Sequence, residues 1–226
     1  MELDVIIRLV SFASVFVLIA LWELAKPRRD LTTSKAKRWF GNLGILGLNS
    51  LGTVLLMPIM PVTMAFIVRE NHWGLLNTMN IPYPAAVVVS VILLDLVVYT
   101  QHVMFHTIPI LWRFHMMHHA DLDYDLTTGL RFHPMEILIS LGIKLAAVAV
   151  LGPPVLAVIL FEVLLNAAAT FNHGNIYMLE KIDRILRLFV VTPAMHPVHH
   201  SVTILVTNNN FAFNMHWLLR CLGTNR

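Results

Sequence analysis

Four apolar stretches, each long enough to cross a bilayer, constrain this chain more than anything else in it. Val5 to Ala25 is apolar except for Arg8 near one end and Glu23 near the other. About 20 such residues in a helix span a hydrocarbon core of about 30 Å. Asn42 to Val68 is a second span, with Pro58 and Pro61 expected to kink it. Ile81 to Thr100 is a third. Ile137 to Thr170 is too long for one crossing and is broken by Gly152, Pro153 and Pro154, which predicts two antiparallel helices joined by a tight turn. Because every backbone polar group in hydrocarbon must be satisfied within its own segment, such stretches are helical. The reading is an all-α integral membrane helical bundle of four to five membrane-embedded helices, one domain over 1–226, with N-terminal transmembrane helices over 1–80 and a histidine-bearing region over 81–224.

Composition agrees. Of 226 residues, 57 % are hydrophobic and only 13 % charged, against about 25 % charged in soluble domains. The single cysteine, Cys221, excludes an internal disulfide. A net charge of +3 does not point to nucleic acid, because Lys26, Arg28, Arg29, Lys35, Lys37 and Arg38 cluster beside the first span. Juxtamembrane cations of this kind favour the cytoplasmic side. The chain opens on Glu2 and Asp4 and its cations follow the span, the reverse of a signal peptide, so the span is expected to be retained. From that orientation, parity brings His102, His133 and His173 to the cytoplasmic face and leaves His72 on the other. Ile182 to Val191, carrying Arg184 and Arg187, has the pattern of a helix lying at the interface.

Histidine is the other outlier, at 12. His102 and His106 lie four apart, so on a helix they share one face. His115, His118 and His119 follow, and His196, His199 and His200 repeat the same offsets of three and four far downstream. Such offsets let two imidazoles converge on one ion while the adjacent histidine points aside, to a second ion or to a position behind the ligands. Eight residues are thus expected ligands, and His173 joins them by returning to the same face. His133, followed by Pro134, reads as a supporting residue rather than a ligand. Asp95 and Tyr99 share a helix face with His102 at offsets of four and three, and are expected to orient it or to line a substrate channel. Asp121, Asp123 and Asp125 could accept imidazole N–H bonds, but acids of a solvent-facing loop are the commoner outcome. Lys144 and Glu162 are expected to pair across the hairpin or to snorkel. His216 is not expected to be a ligand. Imidazole suits iron, zinc and copper alike. No H-E-x-x-H occurs, which disfavours zinc hydrolysis.

Asp95, Tyr99, His102 and His106, Trp112-Arg113-Phe114-His115-Met116-Met117-His118-His119, Arg131-Phe132-His133-Pro134 and Thr192-Pro193-Ala194-Met195-His196-Pro197-Val198-His199-His200-Ser201, with Asn210-Phe211 and Gly223-Thr224 beyond, resemble the fatty acid hydroxylase (sterol desaturase) superfamily over Val87 to Thr224. The resemblance implies two iron ions, with zinc as a substitute metal, held by histidines in a cytosolic cap. It also implies O2 as co-substrate and hydroxylation or desaturation of a lipid C–H bond, in a fatty acyl, sterol or isoprenoid chain. The chain departs from that pattern at Val103, at Leu218 and Leu219, and in having no second histidine near His173. With no cytochrome b5 box, no C-x-x-C spacing and no G-x-G-x-x-G, electrons are expected from a separate donor of ferredoxin or cytochrome b5 type. A non-catalytic metal-binding or metal-transporting membrane protein, and an inactive family member, are the alternatives.

Overall fold

A computed structural model describes residues 2–121 and 123–201. His216, Cys221, Leu218, Leu219, Asn210-Phe211 and Gly223-Thr224 lie outside the described residues.

The chain is an all-α bundle. Its helices are α1 (Glu2–Ala25), α2 (Lys35–Leu56), α3 (Pro61–Glu70), α4 (Leu75–Thr78), α5 (Tyr83–Thr107), α6 (Pro109–His119), α7 (Pro134–Leu151), α8 (Val155–Asn172), α9 (Glu180–Leu186) and α10 (His196–His199), with a 3-10 turn at Leu126–Leu130. Five helical segments among the described residues are long and apolar enough to cross a bilayer. The outer face of the bundle is apolar as well as its core. Leu3, Leu9, Leu18 and Leu24 on α1 are each at least 60 % exposed, while Glu23 on the same helix is fully buried. Such an outer face suits hydrocarbon, not water.

The core of the bundle joins Val62, Ala65, Leu94, Val98, Val148 and Phe161 from α3, α5, α7 and α8. The second span differs from expectation. Rather than kinking, it breaks outright: α2 stops at Leu56 and α3 restarts with Pro61 in its first turn. Two prolines within four residues remove two amide donors from one helical turn, and the ring of each clashes with the preceding turn. The third span runs further than its apolar stretch, to Thr107, so His102 and His106 sit on its last two turns.

α1, α5 and α8 all run toward the histidine end of the bundle, and α7 runs away from it. The α7–α8 turn closes on Gly152, whose φ of +66° is the left-handed conformation that favours glycine. Here the chain also meets Trp73 and Gly74 from the end of the second span: a Cβ on Gly152 would lie 2.6 Å from the Trp73 carbonyl oxygen and 2.9 Å from Gly74 Cα. Gly152→Val therefore combines backbone strain with overpacking. Its expected cost is about 2–4 kcal/mol, read as a lowered Tm of the detergent-solubilised protein.

The predicted interfacial helix is shorter than its pattern, Glu180–Leu186. Ile182, Ile185, Leu188 and Phe189 are exposed, and Asp183 is buried.

Candidate metal centre

The cap that carries the histidines is tied to the first two helices by buried charge. Glu23, at the end of α1, accepts from the amides of Leu126 (3.0 Å) and Asn175 (2.9 Å) and pairs with Lys35 (2.5 Å). Arg38, on α2, makes a two-pronged bond to Asp121 (2.5 and 2.9 Å) and a third to Asp125 (3.0 Å). Asp123 accepts from Thr32 and Thr33. Asp121, Asp123 and Asp125 thus neither face solvent nor bond imidazoles; they clamp the loop after α6 onto the α1–α2 connection. Burial raises Asp123, but the bonds from Thr32 and Thr33 outweigh it and bring the carboxyl down to about 2. The basic cluster lies at the histidine end, with Arg28 donating to the Pro193 carbonyl (2.7 Å) and Arg29 to that of Asp123 (2.6 Å).

The nine expected ligands gather into two groups. His102, His106, His115, His119 and His199 form one and His118, His173, His196 and His200 the other, the ligand nitrogens of each lying within 4.8 Å of one another. The offsets explain the sorting. On α6, His115 and His119 (four apart) face the first group and His118 the second. On the downstream box, His196 and His200 face the second and His199 the first. The groups adjoin, with His119 stacked on His200 at 4.4 Å.

Within each group the nitrogens converge. His102 Nε2 stands 3.2 Å from His115 Nε2 and 3.0 Å from His199 Nε2, and His115 Nε2 is 3.2 Å from His119 Nε2. In the second group, His173 Nε2 lies 3.2 Å from His118 Nε2 and 3.1 Å from His196 Nε2. A neutral ring nitrogen has either one N–H or one lone pair, so it cannot serve two such neighbours at once as a hydrogen bond. Two nitrogens at right angles on one ion, each at about 2.1 Å, stand about 3 Å apart. These nitrogen sets therefore fit a transition-metal ion in each group.

Two tautomers are fixed from behind. His173 Nδ1 lies 2.7 Å from the Ala169 carbonyl, and His115 Nδ1 lies 2.6 Å from Glu136 Oε1. A carbonyl only accepts, so His173 Nδ1 donates and its Nε2 keeps its lone pair for the group; Glu136, when ionised, sets His115 the same way. Gly129 allows His173 its position, since a Cβ there would sit 3.1 Å from His173 Nδ1. Glu136→Gln is expected to weaken metal binding about 10–100-fold with the fold intact, measured by competition with a chelator.

Burial pushes His115, His118, His119, His196 and His200 below the usual imidazole value, and brings His173 down to about 4. Neutral imidazole is the form that binds metal. An unfolded imidazole takes a proton near 6.5. Between about 6.5 and 4 the unfolded chain therefore binds more protons than the folded one, and the metal-free protein loses stability as pH falls through that window. Denaturation of metal-free protein at pH 7.5 and pH 5 checks this, with the midpoint lower at pH 5.

His133 and Asp95 are in neither histidine group. His133 caps α7, its Nδ1 accepting from the Met135 amide (3.1 Å), and its ring packs on Phe114 at 5.0 Å. Tyr99 is buried with Val191 and Met195, beneath the downstream box, and Asp95 is buried one turn deeper on α5. Glu162 pairs with Arg8 (2.7 Å) rather than with Lys144. Sequence reasoning missed Glu136, Glu23 and Arg38. The available signal for Glu136 was an acid three residues after His133, in the first turn of the next helix.

Residues 87–224 match the family model for fatty acid hydroxylase. The chain is 24 % identical over 224 residues to the ornithine lipid hydroxylase OlsE of Rhizobium tropici, covering 95 % of this chain and 66 % of that protein. It is 29 % identical over 119 residues to the alkylglycerol monooxygenase of Homo sapiens, covering 50 % of this chain and 24 % of that one. This chain thus spans just under two thirds of the first relative's length and about a quarter of the second's. No solved structure matches it.

Proposed function

This chain belongs to the fatty acid hydroxylase family, and from that premise we propose that it is a multi-pass membrane oxidoreductase that hydroxylates a C–H bond of a lipid. The observation that carries the reading is the convergence of nine imidazoles into two adjoining groups at one end of five apolar helices. His102, His106, His115, His119 and His199 would hold one iron ion and His118, His173, His196 and His200 the other. When bound, the iron pair supplies O2 chemistry, in which RH, O2, two electrons and two protons become ROH and water.

The chain's own residues do the rest. Glu136 and the Ala169 carbonyl hold the His115 and His173 rings in the tautomer that offers Nε2 inward. Glu23, Arg38 and the three aspartates fix the cap on the bundle, so that ligands from α5, α6, α8 and α10 keep their mutual distances. Burial keeps His115, His118, His119, His173, His196 and His200 neutral. Asp95 and Tyr99 belong to the wall beneath the downstream box. Electrons come from a separate ferredoxin or cytochrome b5-type donor. The cap faces the cytoplasm, because Lys26, Arg28, Arg29, Lys35 and Lys37 flank it and such cations favour that side. The division into membrane helices over 1–80 and a catalytic region over 81–224 is part of the same proposal.

A metal transporter would string its ligands along a path through the bilayer, whereas here they gather at one end. Both relatives are named as oxygen-inserting enzymes, a hydroxylase and a monooxygenase, which favours hydroxylation over desaturation. Lipid extracts from cells with and without the gene, donors supplied, test the reading. A lipid gaining one oxygen, and failing to do so with His118→Ala, supports it. Loss of two hydrogens would make the enzyme a desaturase, and an unchanged lipidome would overturn both.

A further inference from the structure

A cavity of about 180 Å³ lies under the five-histidine group and reaches both His102 and His115. Much of its wall is apolar, from residues such as Val98, Phe105 and Leu165. Yet it also carries Glu136, Ser140 and Lys144, four apart along α7, a ladder of two turns or about 12 Å. Gln101, one residue before His102, and Asn166 complete the polar lining.

The hydrogen-bond accounts of these groups do not close. Gln101 is buried and donates to Ser140 (2.9 Å), while its Oε1 has no partner. Glu136 gives one oxygen to His115, and the other has none. Lys144 has no hydrogen bond or close ion pair among the described residues; Glu162 on the facing helix lies within electrostatic reach of it but gives its short contact to Arg8. An ammonium and two acceptors beside one cavity, with Lys144 about midway along α7, are costly against plain hydrocarbon. A hydroxyl both donates and accepts, so it can answer either kind of group on this wall, donating to Gln101 Oε1 or accepting from Lys144.

We propose that this cavity seats a stretch of lipid chain that carries its own oxygen substituent, a hydroxyl foremost, with Lys144 and Gln101 as the residues that select it. This deepens the lipid-hydroxylase reading and rests on it for the identity of the occupant as substrate. At about 30 Å³ per non-hydrogen atom the cavity takes about six atoms, a short segment of chain and not a whole tail.

The test is binding without turnover. The purified full-length chain in detergent is offered methyl stearate and methyl hydroxystearate, the hydroxyl on carbon twelve, and the bound fractions are read by native mass spectrometry. The wild type is expected to prefer the hydroxylated ester about tenfold or more, the scale of one hydrogen bond to a charged group. Lys144→Met, close in length and apolar, is expected to keep or improve binding of methyl stearate and to lose the preference. Gln101→Leu should reduce the preference without abolishing it. Equal binding of the two esters by the wild type, as when water alone satisfies the polar wall, overturns the proposal, and so does a preference that survives Lys144→Met. Neither result bears on whether the chain hydroxylates lipids, which the lipidome decides separately.

Discussion

His199→Ala is expected to abolish lipid oxidation and to strip one metal ion from the chain while leaving the other. His199 Nε2 is 3.0 Å from His102 Nε2, at the centre of the five-histidine group, and no other residue of the short α10 turns toward that group. Losing a ligand itself should cost more than losing an outer partner, so a drop in affinity beyond about a hundredfold is expected at that group alone. His196→Ala should give the mirror result, because its Nε2 lies 3.1 Å from His173 Nε2 in the four-histidine group. Elemental analysis of the two purified variants checks this. Both should retain about half the metal of the parent, and neither should form product. If either variant kept its full metal content, the sorting of the two groups would be wrong.

Arg38→Met should be the most destabilising single change outside the core. The Arg38 guanidinium faces Asp121 and Asp125 with 8 % of its side chain exposed, and the two acids expose 3 % and 0 %. Removing the cation leaves two buried carboxylates with only the more distant Arg131 near Asp121 as counter-charge, a loss of about 3–5 kcal/mol. The apolar helices do not depend on that contact, but the loop between α6 and α7 does. The expected outcome is a protein that still inserts in membranes, melts at a markedly lower temperature and binds metal poorly. Arg38→Lys should recover only part of the loss, since an ammonium cannot reproduce the two-pronged bond to Asp121. Thermal unfolding in detergent, with metal content measured in parallel, checks the order wild type, lysine, methionine.

What the sequence made legible follows from what carries a period. Apolar runs of bilayer length fix helices by themselves, and histidines three and four apart declare a shared face, so the bundle and the set of converging imidazoles are legible in the sequence, while their sorting into two groups is not. Contacts between distant charges carry no period. Glu23 meets the Asn175 amide 152 positions away, and Arg38 meets Asp121 at a separation of 83. In the sequence both are ordinary flanking charges beside an apolar span. The aspartates after α6 were ambiguous for the same reason. His133 was readable as a supporting residue, but its Pro134 neighbour fits best what the structure shows, a cap ahead of a proline-initiated helix. Lys144 and Glu162 sit opposite each other in the hairpin, and only the fold reveals that Arg8 of the first span takes the acid.

The most direct test of the account is the ratio of metal to chain. Full-length protein purified from iron-replete cells and shown to be folded should carry two transition-metal ions per chain, lost together with activity on chelation and restored with it on adding back iron. Folded protein that binds none, or only one, would contradict the claim that these nine imidazoles hold a metal pair.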